Sequence, residues 1–209
     1  MTDDKKRHIA MMALPYLAVL IGLYLFRSAW ISILLYHLGI MLFLLSGRPK
    51  AVWQRLFDGW SHGPGLAAAL LCAGCGPIIA LLWGRVAIAP QELTSALAGF
   101  GLSGADWWLF AAYYVIPHPI LEELFWRGPD FTRSRGLILA DAAFGGYHLL
   151  VLLQFLHLFW ACVSVVVLIL VAWLWRRIAA RYQGLAIPII SHAAAALSTM
   201  AAVYFLSRN

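Results

Sequence analysis

The chain has 209 residues, of which 63% are hydrophobic and only 11% are charged, and its mean hydropathy is +0.83. Soluble domains carry about 25% charged residues, so this composition excludes a soluble protein and predicts an integral membrane protein. The formal net charge of +6 does not indicate nucleic-acid binding, because the basic residues stand singly or in small groups at the ends of apolar runs.

Long apolar runs divide the chain into about seven predicted membrane-spanning helices. Each span needs roughly 20 residues, which leaves no room for a separate soluble domain. We therefore predict an all-α, polytopic transmembrane helical bundle, forming a single integral membrane domain over residues 1–209. In the third span, Gly74, Gly76 and Pro77 predict a kink. The predicted spans are 8–26, 29–45, 66–83, 106–126, 137–153, 158–175 and 186–206.

The basic residues predict the orientation of this bundle. With a cytoplasmic N-terminus, twelve of the fifteen Lys and Arg residues fall in inner segments, as the positive-inside rule requires. The outer segments hold only Arg27, Arg85 and Arg208. We therefore expect a multi-pass protein of a bacterial plasma membrane. The inner residues are Lys5, Lys6, Arg7, Arg48, Lys50, Arg55, Arg127, Arg133, Arg135, Arg176, Arg177 and Arg181.

One inner segment, residues 50–60, has the apolar spacing of an amphipathic helix. Trp53, Leu56, Phe57 and Trp60 recur at i, i+3, i+4 and i+7, with polar residues between them. This pattern predicts a short helix lying on the cytoplasmic leaflet. A packing role and a role as a lateral gate or substrate guide are both open.

Few ionisable residues lie inside the predicted spans. They are three acids and four histidines: Glu122, Glu123, Asp141, His37, His118, His148 and His192. Such groups cost several kcal/mol in a membrane unless they are paired or face a polar cavity, so they mark a candidate functional site. His118 and Glu122 are spaced i,i+4 and share a helix face. His37 has no acidic neighbour in the sequence, and we expect a hydroxyl or a backbone carbonyl to satisfy it.

Glu123 and Arg127 are also spaced i,i+4, which is equally consistent with an ordinary charged helix end. The depths of the site residues raise a further question. At about 1.5 Å per residue, Glu122 lies about 6 Å from the predicted inner end of its span, His192 about 9 Å and His148 about 17 Å. The three residues reach a similar depth only if the fifth span starts later than residue 137, near Asp141, or if it tilts.

Three short motifs follow one another in the second half of the chain. Residues 122–127 fit EExxxR, residues 144–148 fit FxxxH, and His192 falls where HxxxN or HxxxD belongs. In this order they resemble the CPBP (Abi) family, the CAAX-protease and bacteriocin-processing intramembrane proteases. The resemblance covers a catalytic core over residues 106–209, and the N-terminal spans of residues 1–105 take no part in it.

The resemblance implies a role for each matched residue. Glu122 would act as the general base that activates a water molecule, His148 would help it, and His192 would stabilise the oxyanion. The implied mechanism uses no metal and no other cofactor. Supporting roles are expected for Glu123, Arg127, Phe144 and His118.

The third motif departs from the family pattern, because the partner position of His192 is Ala196 rather than Asn or Asp. Losing one oxyanion donor typically lowers the rate on the order of a hundred- to a thousandfold. The sequence leaves open whether another side chain replaces the missing donor. The candidates are Ser191, Ser198, Thr199 and His118.

The favoured function is an intramembrane endopeptidase that cleaves a C-terminal tail or leader peptide of a membrane-associated protein. Its partners would be that peptide or protein substrate and the lipid bilayer, with no nucleic acid. Ala196 motivates one alternative, a weak or inactive relative that binds a membrane partner or confers immunity. A zinc site is a second alternative, less favoured because there is no HExxH helix. Its ligands would be His118, Glu122, His148 and His192.

Overall fold

The computed structural model describes residues 9–46, 53, 55–128 and 134–208. Their regular structure is helical, apart from one isolated β-bridge between Ala87 and Leu156, so the all-α prediction is confirmed. The helices are α1 (Leu14–Val19, continued by the π-helical segment Leu20–Leu25), α2 (Ala29–Leu45), α3 (His62–Ala73), α4 (Cys75–Val86), α5 (Leu93–Gly99), α6 (Gly104–Val115), α7 (Pro117–Trp126), α8 (Leu139–Leu152), α9 (Leu158–Tyr182) and α10 (Ala186–Leu206).

The predicted apolar runs coincide with these helices, singly or as consecutive pairs. By length and composition, three helical stretches suffice to cross a membrane: His62–Val86, Leu158–Tyr182 and Ala186–Leu206. Shorter apolar helices are Ile9–Leu25, Ala29–Leu45 and Leu139–Leu152. The start of α8 at Leu139 answers the question of depth in part, since it brings His148 closer to the predicted inner end than a start at residue 137 does.

The third predicted span is interrupted at Gly74, where the kink was expected. Pro77 has no N–H and so cannot bond to the carbonyl of Ala73 one turn earlier. The hydroxyl of Ser198, from α10, donates to this carbonyl and accepts from the Gly76 N–H at 3.0 Å. A Cβ on Gly76 would overlap the Ser198 backbone, so α10 packs directly against the interruption.

Replacing Ser198 by Ala is expected to lower the free energy of unfolding by about 1–3 kcal/mol, because two backbone groups lose their partner in an apolar environment. The measurement is the unfolding midpoint of the purified protein in detergent micelles. Ser103→Ala is the matched control, because Ser103 is exposed just before α6. Equal midpoints for the two variants would contradict this role of Ser198.

The amphipathic helix predicted over residues 50–60 is wrong for residues 55–60, which form turns and irregular backbone. Leu56 is buried, whereas Phe57 is 81% exposed. Residues 50–52 and 54 lie outside the described residues. So do six of the basic residues on which the predicted orientation rests: Lys5, Lys6, Arg7, Arg48, Lys50 and Arg133.

This segment caps α10 instead of forming a helix of its own. The carbonyls of Arg55 and Asp58 accept from the N–H groups of Leu185 at 3.0 Å and Ala186 at 3.1 Å. The first N–H groups of a helix have no partner within it, so these carbonyls satisfy two of them. A Cβ on Gly184 would overlap the Asp58 backbone, which explains the glycine. Of the two open roles, the contacts support packing.

The two carboxylates of the EExxxR motif are carried inside the bundle by α7. Most of this helix is buried, and it starts at a break after Ile116. Pro117 and Pro119 have no N–H, which removes two of the donors that a helix N-terminus leaves unpaired. A helix with this sequence can therefore begin within an apolar interior, with His118 turned towards its neighbours.

Candidate active site

The Glu122 carboxylate lies at the centre of the site and is fully buried. Its Oε1 accepts hydrogen bonds from the hydroxyls of Tyr36 at 2.7 Å and Tyr147 at 2.5 Å. Among the described residues its Oε2 has no hydrogen-bond partner, but it lies 3.5 Å from His118 Nε2 and 3.6 Å from His192 Nε2. One oxygen is therefore held by two donors, while the other faces two imidazoles.

Glu123 forms a second buried cluster beside the first. Its Oε1 accepts from Arg127 Nη1 at 2.8 Å and lies 3.0 Å from His192 Nδ1. Because a carboxylate only accepts, the His192 Nδ1 proton points to Glu123. His192 therefore bridges the two acids, with its Nε2 towards Glu122. Glu123 and Arg127 form an internal ion pair and not a solvated helix end.

Aromatic rings enclose this pair of clusters. The Arg127 guanidinium carbon lies 4.3 Å from the ring centroid of Phe144 and 5.3 Å from that of Trp175. The Trp175 ring also stacks on His192 at 4.8 Å between centroids. Cation–π contacts of this kind stabilise a desolvated guanidinium. They give the Phe of the FxxxH motif a physical role, which is to hold Arg127 against Glu123.

His148 lies near Glu122 but does not bond to it. Its Nδ1 is 2.8 Å from the carbonyl of Phe144, and a carbonyl only accepts, so Nδ1 carries the proton. In the neutral ring Nε2 is then the nitrogen that can accept a hydrogen bond. Within the described ranges no hydrogen bond joins His148 to Glu122, although the two groups interact electrostatically.

A comparison with protein families addresses the predicted resemblance. Residues 104–198 match the family model described as type II CAAX prenyl endopeptidase, Rce1-like. This segment is CAAX-protease-like. The resemblance to the CPBP family, predicted from the three motifs, is confirmed, and the match indicates a CAAX-type intramembrane protease that acts on a peptide or protein in a membrane. No curated protein and no solved structure matches the chain.

Two residues outside the CAAX-protease segment, Tyr36 and His37 of α2, also contribute to the site. His37 Nδ1 lies 2.8 Å from the Tyr113 hydroxyl, so the expected hydroxyl partner is present. Its Nε2 also lies 3.0 Å from His118 Nδ1, a contact that the sequence did not reveal. A usable signal was the adjacent polar pair at 36–37 in an apolar span. The position of Tyr147 next to His148 was another.

The third intramembrane acid, Asp141, belongs to a separate structural pair. Arg176 donates to its carboxylate from Nε at 2.9 Å and from Nη2 at 2.7 Å. The same guanidinium donates to the carbonyls of Ser134 at 2.9 Å and Gly136 at 2.7 Å. Asp141 therefore anchors the chain before α8, and it has no contact with Glu122 within the described ranges.

Ala196 is buried one turn after His192, and its methyl group offers no donor. Of the four candidate replacements, Ser191 donates within its own helix and Ser198 donates to the carbonyl at the end of α3. Thr199 contacts a cysteine of α4. His118 is the candidate that lies against the Glu122 carboxylate.

The histidines and Glu122 also have the spacing of metal ligands. His118, Glu122 and His192 each offer one ligand atom, and these atoms lie within 4.8 Å of one another. Two histidines and one carboxylate form a common catalytic zinc set. His148, the fourth residue of the alternative zinc site, is not part of this group. The residues fit a small divalent cation.

Proposed function

We propose that this protein is an intramembrane endopeptidase in which Glu122 activates a water molecule. One observation carries the proposal: a buried carboxylate, held at Oε1 by two hydroxyls, presents an unbonded Oε2 to two imidazoles. The match of residues 104–198 to a protease family supports it. A preorganised, water-poor site of this kind strengthens each electrostatic interaction within it.

The residues of the site account for each step of amide hydrolysis. Glu122 Oε2 takes a proton from water as the water oxygen bonds to the substrate carbonyl carbon, which gives a tetrahedral oxyanion. His192 acts in its protonated form, and its Nε2–H stabilises this oxyanion. The Glu123 carboxylate balances the positive charge of His192. The C–N bond then breaks, and the proton on Glu122 passes to the leaving amine. His148 orients the water through Nε2.

The substrate that fits this site is a peptide segment that reaches into the bilayer from the predicted cytoplasmic side. We infer a C-terminal tail or a leader peptide of a membrane-associated protein in a bacterial plasma membrane. The decisive test compares protein termini in membranes that contain the wild type with those that contain Glu122→Gln.

Ala196 supports a second candidate function, in which the protein binds a membrane partner without cleaving it, for example as an immunity protein. The missing donor lowers the expected catalytic power, while the buried clusters that shape the site persist. A binding protein keeps its phenotype in the Glu122→Gln variant. A protease loses it.

Chelation distinguishes the glutamate mechanism from a zinc mechanism. We expect the purified protein to contain far less than one zinc per chain by elemental analysis. We also expect cleavage to continue in an excess of 1,10-phenanthroline, because Glu122 then acts as a base and not as a ligand. Stoichiometric zinc that is lost together with activity in His192→Ala would show the reverse.

A further inference from the structure

We infer that His118, held in one tautomer by His37 and Tyr113, supplies the second oxyanion donor of this site in place of the residue missing at Ala196. The inference rests on the proposed function and deepens it. It assigns a catalytic role to His118 and positioning roles to His37 and Tyr113, two residues that the three motifs do not include.

A continuous chain of contacts leads to the catalytic carboxylate. The Tyr113 hydroxyl lies 2.8 Å from His37 Nδ1, and His37 Nε2 lies 3.0 Å from His118 Nδ1. His118 Nε2 then lies 3.5 Å from Glu122 Oε2. His118 and Glu122 are buried, so their polar atoms depend on these contacts rather than on bulk water.

The order of donors and acceptors along these contacts follows from the groups at the two ends, Tyr113 and Glu122. Each imidazole–imidazole contact holds a single proton, so a neutral chain has two arrangements. If Tyr113 donates to His37, then His37 donates to His118 and the His118 Nε2–H faces Glu122. The reverse arrangement points a nitrogen lone pair at a buried carboxylate oxygen, which is repulsive. The arrangement with a donor at His118 Nε2 is therefore the stable one.

The position of this donor matches the need created by Ala196. His118 Nε2 and His192 Nε2 lie at nearly equal distances from Glu122 Oε2, 3.5 and 3.6 Å. Both ligand atoms fall within the same 4.8 Å group, so one small anionic oxygen can meet both. In the resembled family a His and an Asn or Asp fill these two places. Here two histidines from different helices fill them.

The orientation of the His118 ring is fixed, as is the position of its proton. Tyr114 stacks on it at 4.6 Å between centroids, and the His37 ring lies within 26° of its plane. The break at Ile116 and the prolines on either side of His118 fix the backbone. A donor held in this way loses little freedom when the oxyanion forms, as efficient stabilisation requires.

The first test reads the tautomer and does not depend on proteolysis. Long-range ¹H–¹⁵N spectra of histidine-labelled protein in micelles are compared with spectra of His118→Gln, which identifies the signals of His118. We expect an Nε2–H tautomer in the wild type and a mixture in Tyr113→Phe. A wild-type Nδ1–H tautomer, or a spectrum that Tyr113→Phe leaves unchanged, would overturn the inference.

The second test measures cleavage of the protein substrate whose new terminus appears with the wild type but not with Glu122→Gln. His118→Ala is expected to lower kcat by about a hundredfold or more, with KM within threefold, because the donor acts in the transition state. His37→Ala is expected to lower kcat about tenfold through the lost positioning. The matched control is His62→Ala, since His62 is exposed at the start of α3.

Rescue separates a catalytic donor from a merely structural residue. Adding Ala196→Asn to His118→Ala is expected to recover at least tenfold in kcat, because the amide restores a donor beside His192. Wild-type activity in His118→Ala would disprove the inference and leave the proposed function intact. If the wild type cleaves nothing, the proposed function fails, and the tautomer test still decides the arrangement of the chain. Zinc that His118→Ala releases would make His118 a ligand and not a donor.

Discussion

Glu122→Gln is expected to lower the rate of peptide cleavage by about 10²- to 10⁴-fold, the range that loss of a general base produces. A glutamine amide cannot take the proton of a water molecule. Its oxygen still accepts from Tyr36 and Tyr147, and its volume is nearly that of glutamate, so the fold is retained. The loss is therefore expected in kcat rather than in the amount of folded protein.

The measurement is a comparison of protein termini in membranes that contain equal amounts of wild type and variant. New termini that depend on Glu122 identify both the reaction and its substrate. Glu92→Gln is the matched control, because Glu92 is exposed in the connection between α4 and α5. It is expected to match the wild type. Identical termini for wild type and Glu122→Gln, with the cellular phenotype retained, would favour the binding function.

Arg176→Met is expected to have the largest effect on stability, a loss of about 3–5 kcal/mol in the free energy of unfolding. The substitution leaves the Asp141 carboxylate without its countercharge. The Asp141 side chain is only 3% exposed, so water cannot replace that countercharge. It also leaves the carbonyls of Ser134 and Gly136 without this donor. Methionine is shorter than arginine but fills much of the same volume, so the loss reflects charge and hydrogen bonds more than volume.

Unfolding by SDS in mixed micelles measures this loss. The neighbouring Arg177→Met is the control, because Arg177 is exposed and is expected to change stability by about 0.5 kcal/mol or less. Adding Asp141→Asn to Arg176→Met is expected to recover part of the loss, since the uncompensated charge is removed. Equal effects at positions 176 and 177 would show that the buried pair contributes little.

The order of helices could be predicted from the sequence because apolar runs of this length permit few structures. The residues of EExxxR could be predicted because their spacing is local, whereas His192 was predicted from the order of the three motifs. The structure brings Glu122, Glu123, Arg127 and His192 together. His148 was predicted to help Glu122 activate a water molecule; its Nδ1 bonds to the Phe144 carbonyl, and its role stays a prediction.

Contacts across long sequence distances could not be predicted in the same way. Tyr36 meets Glu122 and His37 meets His118 only because α2 packs beside α7. Periodicity reports the face of one helix and not the helix that covers it. The helix prediction was wrong at residues 55–60 for a related reason. The apolar spacing there suits a helix, but the carbonyls accept hydrogen bonds from the start of α10.

The pairing of α2 with α7 also bears on how the protein is made. Tyr36 and Glu122 are separated by 86 residues, and His192 follows Glu123 by 69. Contacts of such long range form late, after the chain between them has been synthesised and packed. The nascent chain therefore carries both acids before Tyr147 and His192 have been synthesised. Under the proposed function, a chain assembled in this order completes its active site only when most of its helices are in place.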